Sequence, residues 1–148
     1  MFKQIFLGVS IFLSTVLVHA DEQNLNIERL VKQMIKDGKI TSNCWRTVGD
    51  AKKLITVESI KLREKGTDFF ITGQDCACTG ARVCEQWIYQ LNEDSYKLIF
   101  GPSQADGIKP LKTHTNGYKD IKESYTGGND TWVGIYKFNG SQYQIKKK

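Results

Sequence analysis

Cys44, Cys76, Cys78 and Cys84 are the residues whose type and spacing bear most directly on chemistry. Closely spaced thiols can bind a metal, exchange electrons or join as disulfides. A zinc site wants further cysteine or histidine ligands at metal-binding spacing. Past the first twenty residues the chain offers His114 as its one histidine. A redox pair wants Cys-x-x-Cys, and Cys76-Ala77-Cys78 has one intervening residue instead. Structural disulfides are the reading that remains. Four cysteines allow three pairings. A Cys76–Cys78 bond would close a strained ring, whereas Cys78-Thr79-Gly80-Ala81-Arg82-Val83-Cys84 suits a short bridged loop turned by Thr79-Gly80. Cys44–Cys76 would then close the longer loop. In the chain-entropy description the short loop contributes about 2 kcal/mol and the long one about 3–4 kcal/mol.

Other reactive groups do not converge in the sequence. His114 lies between Thr113 and Thr115, beside Asn116-Gly117, and reads as a surface loop residue. Asp120, Glu123 and Asp130 are scattered near turns and read as a solvated face. Gly-x-Ser-x-Gly, His-Glu-x-x-His and phosphate-loop patterns do not occur. The expectation is a protein with no catalytic residue, no cofactor and no metal. Asn129-Asp130-Thr131 is a glycosylation sequon, of consequence only in a eukaryotic secretory pathway. The bridged loop is the candidate binding element, through Thr79, Gly80 and Arg82. A loop locked beforehand loses less entropy on association, and arginine is enriched at binding hot spots.

The elements that position these residues begin with a leader. Lys3 precedes an apolar run over residues 5–18, and Val18-His19-Ala20 offers a cleavage point before Asp21-Glu22. The run is short for a membrane span and reads as a signal peptide over residues 1–20. The remainder, residues 21–148, is one domain's worth of chain, 128 residues with a net charge lowered from +5 to +4 by loss of Lys3. That charge is satisfied by solubility and calls for no nucleic acid. Export makes an oxidising compartment, periplasmic or extracellular, and supports the disulfides.

Ile27, Leu30, Val31, Met34 and Ile35 fall on one helical face, with Asn26 as cap and Asp37-Gly38 as stop. Residues 41–53 show no clear period. Strands are predicted over 55–63, 68–73, 85–91, 96–100, 107–113, 118–124, 131–138 and 142–146. Turn residues separate them, among them Gly101-Pro102, Asn116-Gly117 and residues 127–130. Asn139-Gly140 predicts a type I′ hairpin. Trp87, Tyr89 and Leu91 share one strand face, Tyr96, Leu98 and Phe100 another, and Trp132, Gly134, Tyr136 and Phe138 a third, all read as core. The fold class is α+β: an N-terminal helix on a curved antiparallel meander or small sandwich, stapled by disulfides.

Three stretches carry a resemblance: residues 78–88, Thr115-Asn116-Gly117-Tyr118-Lys119-Asp120-Ile121, and Tyr136-Lys137-Phe138-Asn139-Gly140-Ser141-Gln142-Tyr143. In this order they resemble small secreted or periplasmic bacterial proteins of largely uncharacterised function. The chain is also similar to Ivy-type periplasmic lysozyme inhibitors, which place a bridged loop between two strands. Those loops carry a histidine where this one holds Thr79, Gly80, Ala81 and Arg82. The resemblance implies a fold more than an activity; export, the bridged loop with Arg82 and the missing catalytic set point to an exported, non-enzymatic binding or inhibitor protein, of envelope-hydrolase inhibitor or toxin-immunity type. Its partner would be a protein of the cell envelope or medium, with no membrane attachment after signal cleavage. The alternatives are an envelope-maintenance protein without a tight partner, or a hydrolase of an envelope polymer with a dispersed site.

Overall fold

A computed structural model of the chain describes residues 26–40, 48–74 and 84–146. The leader 1–20, Cys44, Cys76, Cys78, Thr79, Gly80 and Arg82 lie outside these residues.

Helix α1 (Ile27–Lys36) starts where the side chain of Asn26 accepts a hydrogen bond from the Arg29 amide at 3.0 Å. That bond satisfies one of the amides a helix start leaves free. The helix stops at Asp37, and Gly38 comes next with φ +67°, which glycine adopts without strain. Leu30, Val31 and Met34 are fully buried, and each such burial is worth about 1.5–3 kcal/mol. A second helix, α2 (Val48–Lys53), occupies part of the stretch that shows no period in the sequence, and adds Ala51 to the same core.

The strands form two antiparallel sheets in chain order. The first holds β1 (Ile55–Ile60), β2 (Asp68–Gly73), β3 (Gln86–Asn92) and β4 (Ser95–Ser103). The second holds β5 (Gly107–Thr115), β6 (Tyr118–Gly127), β7 (Asp130–Phe138) and β8 (Tyr143–Ile145). Alternation along β2 and β3 gives the first sheet two apolar faces. Phe69, Ile71, Trp87 and Tyr89 pack with Leu30, Val31 and Met34 of α1. Phe70 and Ile88 point the other way, into a second core with Tyr118, Ile121, Phe138 and Tyr143 of the second sheet. The result is three layers: helices, sheet, sheet. Of the two architectures expected, the sandwich is the one formed.

β4 departs from simple alternation. Tyr89 pairs with Leu98 and Ile88 with Phe100, so Ile99 is an extra residue on β4. Tyr96 and Leu98 accordingly pack in the helix layer, while Ile99 and Phe100 pack between the sheets. The expected single face for Tyr96, Leu98 and Phe100 is therefore broken by a bulge. Gly101-Pro102 is a second irregularity and not the end of the strand: Gln86 pairs with Ser103 beyond it. Gly101 has φ +106°, and a Cβ there would lie 2.5 Å from the Gln86 carbonyl oxygen. Only glycine fits that approach.

The type I′ geometry expected at Asn139-Gly140 occurs instead at Asn116-Gly117. Asn116 and Gly117 both have positive φ, +51° and +79°, the type I′ requirement, between β5 and β6. At the other Asn-Gly pair Gly140 alone does, at +99°. There the Asn139 carboxamide oxygen accepts from the amides of Ser141 and Gln142 at 2.8 and 2.9 Å, making a wider side-chain-supported turn.

Polar groups tie the layers together. The Tyr89 hydroxyl donates to Asp37 at 2.9 Å, joining β3 to the end of α1. Between the sheets the Lys119 amide donates to the Leu62 carbonyl at 2.7 Å, and Gln90 donates to the Tyr118 hydroxyl at 2.8 Å.

Candidate functional site

The residues singled out by chemistry have different fates in the fold. Cys84 lies just ahead of β3. The other cysteines and the loop residues Thr79, Gly80 and Arg82 lie outside the described residues. His114 is exposed as expected, but on strand β5 opposite Lys119 and not in a loop. Asp130 is exposed at the start of β7.

Asp120 and Glu123 are not on a solvated face. Both are buried, at 1% and 7% exposure. For Asp120 the cause is a register shift. Pro110 pairs with Ile121 and His114 with Lys119, so Leu111, Lys112 and Thr113 stand opposite Asp120 alone. Burial pushes the Asp120 carboxyl up, but the hydroxyls of Thr115 and Thr113 and the Lys137 ammonium at 3.4 Å outweigh it. The net effect holds this acid below its ordinary range. Glu123 accepts from the Ser103 hydroxyl on one oxygen and from the Tyr136 hydroxyl, at 2.6 Å, on the other. Burial and the Glu123 carboxylate together push the Tyr136 phenol upward. Glu123 is thus held on both oxygens, whereas Asp120 is held through the threonine hydroxyls and Lys137, and its Oδ1 is buried with no hydrogen-bond partner among the described residues.

The β6–β7 hairpin orders its inner face rung by rung. Ile121 stands opposite Tyr136, Glu123 opposite Gly134, Tyr125 opposite Trp132, and Gly127 opposite Asp130. The first rung is core, between the sheets. The second is the buried carboxylate, reached by Ser103 at the end of β4. The third rung lies past that point. Tyr125 and Trp132 are 45% and 46% exposed, the largest aromatic surface among the described residues. Trp132 shares its face with Gly134, Tyr136 and Phe138 as predicted, yet it is not core, because β4 has ended before its rung.

Both rings fold back along their own strands onto a glycine. A Cβ on Gly134 would lie 2.4 Å from the Trp132 ring, and one on Gly127 would lie 2.9 Å from the Tyr125 ring. Each ring therefore rests against the backbone and keeps surface open to solvent. The signal for this was in the sequence, as an aromatic-x-Gly step on each strand: Tyr125-Thr126-Gly127 and Trp132-Val133-Gly134. The loop between β4 and β5 is pinned alongside. The Asp106 amide donates to the Ser124 carbonyl at 2.9 Å, and the Asp106 carboxylate accepts from the Thr126 amide.

Seated aromatic rings with open faces stack on ligands and hold them with little loss of side-chain freedom. Among the described residues no group of three His, Cys, Asp or Glu side chains is placed to hold a metal ion, and no helix is long and apolar enough to cross a membrane. The fold and the hairpin define a helix-covered two-sheet protein with an exposed aromatic pair. No family model, curated protein or solved structure matches this chain.

Proposed function

We propose that this is an exported, non-enzymatic binding protein, which captures a protein partner in the cell envelope or medium in the manner of an inhibitor or toxin-immunity protein. The observation that carries the reading is the cross-strand pair Tyr125 and Trp132, exposed and seated on Gly127 and Gly134. Tryptophan, tyrosine and arginine dominate binding hot spots. Exposed aromatic surface at the end of a well-packed hairpin has no use in packing the molecule itself. The loop bounded by Cys78 and Cys84 belongs to the same reading, with Thr79, Gly80 and Arg82 as its contacts and Cys44–Cys76 as the second disulfide. Cleavage after Ala20 would deliver the protein to a periplasmic or extracellular partner.

The test is capture from periplasm and culture medium with three baits: wild type, Trp132→Ala and Arg82→Ala. One partner should be recovered near stoichiometry by wild type and reduced about ten-fold or more by Trp132→Ala, as for a central hot-spot residue. Arg82→Ala reads the contribution of the bridged loop. Identical recoveries from wild type and Trp132→Ala would remove the hairpin as the binding site.

A further inference from the structure

Charge around the two rings differs from charge on the rest of the chain. The sequence carries 21 lysines and arginines against 16 aspartates and glutamates. None of those cations falls between Lys122 and Lys137, where the charged residues are Glu123 and Asp130. The adjoining loop adds Asp106, held against β6 through Ser124 and Thr126. Asp130 is exposed and occupies the same rung as Gly127, the glycine beneath the Tyr125 ring. Glu123 occupies the same rung as Gly134, the glycine beneath the Trp132 ring. The nearest cations in sequence, Lys122 and Lys137, alternate onto the opposite strand face from Glu123 and Tyr136.

An aromatic face is itself negative at its centre. Here two such faces lie between carboxylates in rung order, on a hairpin face whose own residues include no cation; Lys146, whose amide donates to the Ile135 carbonyl beside β7, stands opposite Ile135 on the other face. Resting on the binding reading above, we infer that the partner presents cationic side chains to this hairpin, arginine foremost. A guanidinium plane stacks on an indole or phenol ring and is weakly hydrated, which an ammonium is not. Asp130, at the rim, accepts from the guanidinium N–H groups and steers its approach. A neutral sugar would use the rings and hydrogen-bond the acids, but without the salt-dependent attraction a cation gains. An acidic segment would be repelled.

The probe is a short peptide of alternating arginine and serine, titrated into the purified protein while the heat of binding is read by calorimetry. An alternating glutamate and serine peptide and a chitin oligosaccharide serve as comparators. The arginine peptide should give saturable binding that weakens as salt is raised. Its affinity should fall about five-fold in Trp132→Ala. Gly134→Val, which keeps the indole but drives it off its seat, should weaken binding likewise. Asp130→Asn should lower affinity about three-fold and flatten the salt dependence. Near-UV circular dichroism confirms that each variant retains its packing. Failure of wild type to bind the arginine peptide overturns the inference. So does preference for the glutamate peptide or the sugar, or self-association through Trp132 in sedimentation. The two readings separate cleanly. Partner capture that depends on Trp132 but ignores salt and Asp130→Asn leaves the binding protein and removes its cationic partner. Capture that ignores Trp132 removes both.

Discussion

Asp68 is fully buried at the start of β2, with the Arg63 guanidinium at 3.4 Å as its counter-charge. Burial raises its carboxyl from 3.8 to about 6, opposed by Arg63 and the Leu62 backbone. The folded chain therefore holds this proton more tightly than the unfolded chain. Its contribution to stability is full below pH 3.8 and is lost as pH rises through about 6. A shift of this size corresponds to about 3 kcal/mol at most. Asp68→Asn should thus stabilise the protein relative to wild type by about 2 kcal/mol more at pH 7.5 than at pH 4.5, read by urea unfolding. An equal difference at both pH values would show that Arg63 fully compensates the buried charge. Gly101 makes a second prediction at this scale. Gly101→Ala combines a positive φ with a Cβ 2.5 Å from a backbone oxygen, and should destabilise by about 2–4 kcal/mol in the same assay.

Hairpins and bulges decide which face each strand shows. The Asn116-Gly117 turn needs two positive φ angles, whereas the turn at Asn139 works through its side chain. The two turns should respond differently to mutation. Gly117→Val has room for its side chain but not for its backbone, and should cost about 1–2 kcal/mol. Asn139→Ala removes an acceptor for two amides and should cost about 1 kcal/mol, while Asn139→Asp, which keeps that acceptor, should retain most of the stability. Thermal unfolding of the three variants distinguishes these outcomes. The alternation pattern located every strand, because period two is a local property of the backbone. It could not locate the bulge at Ile99 or the shift opposite Asp120, because both depend on how a neighbouring strand pairs. Phe100 and Asp120 accordingly have surroundings that alternation alone does not predict.

The first sheet serves as the middle layer, with α1 on one face and the second sheet on the other. Ile88 is at the centre of the inter-sheet core and is fully buried. Ile88→Ala should destabilise by about 2–5 kcal/mol and should loosen the sheets together, not one hairpin alone. Hydrogen exchange at β3 and β6 reads this: protection in both strands should fall in parallel, and loss confined to β3 would mean that the sheets fold as separate units. For the molecule as a whole, composition and pattern alone determined the helix with its cap and stop, eight strands in antiparallel series, and an aromatic-x-Gly step on each strand of one hairpin. All three arise from bonding between residues near in sequence. Tertiary structure alone decided that the strands divide into two sheets after Ser103, that Asp120 and Glu123 are buried, and that Trp132 is exposed. Each of those depends on how a strand from elsewhere in the chain pairs or where it ends, and burial is set by that neighbour and not by the residue itself.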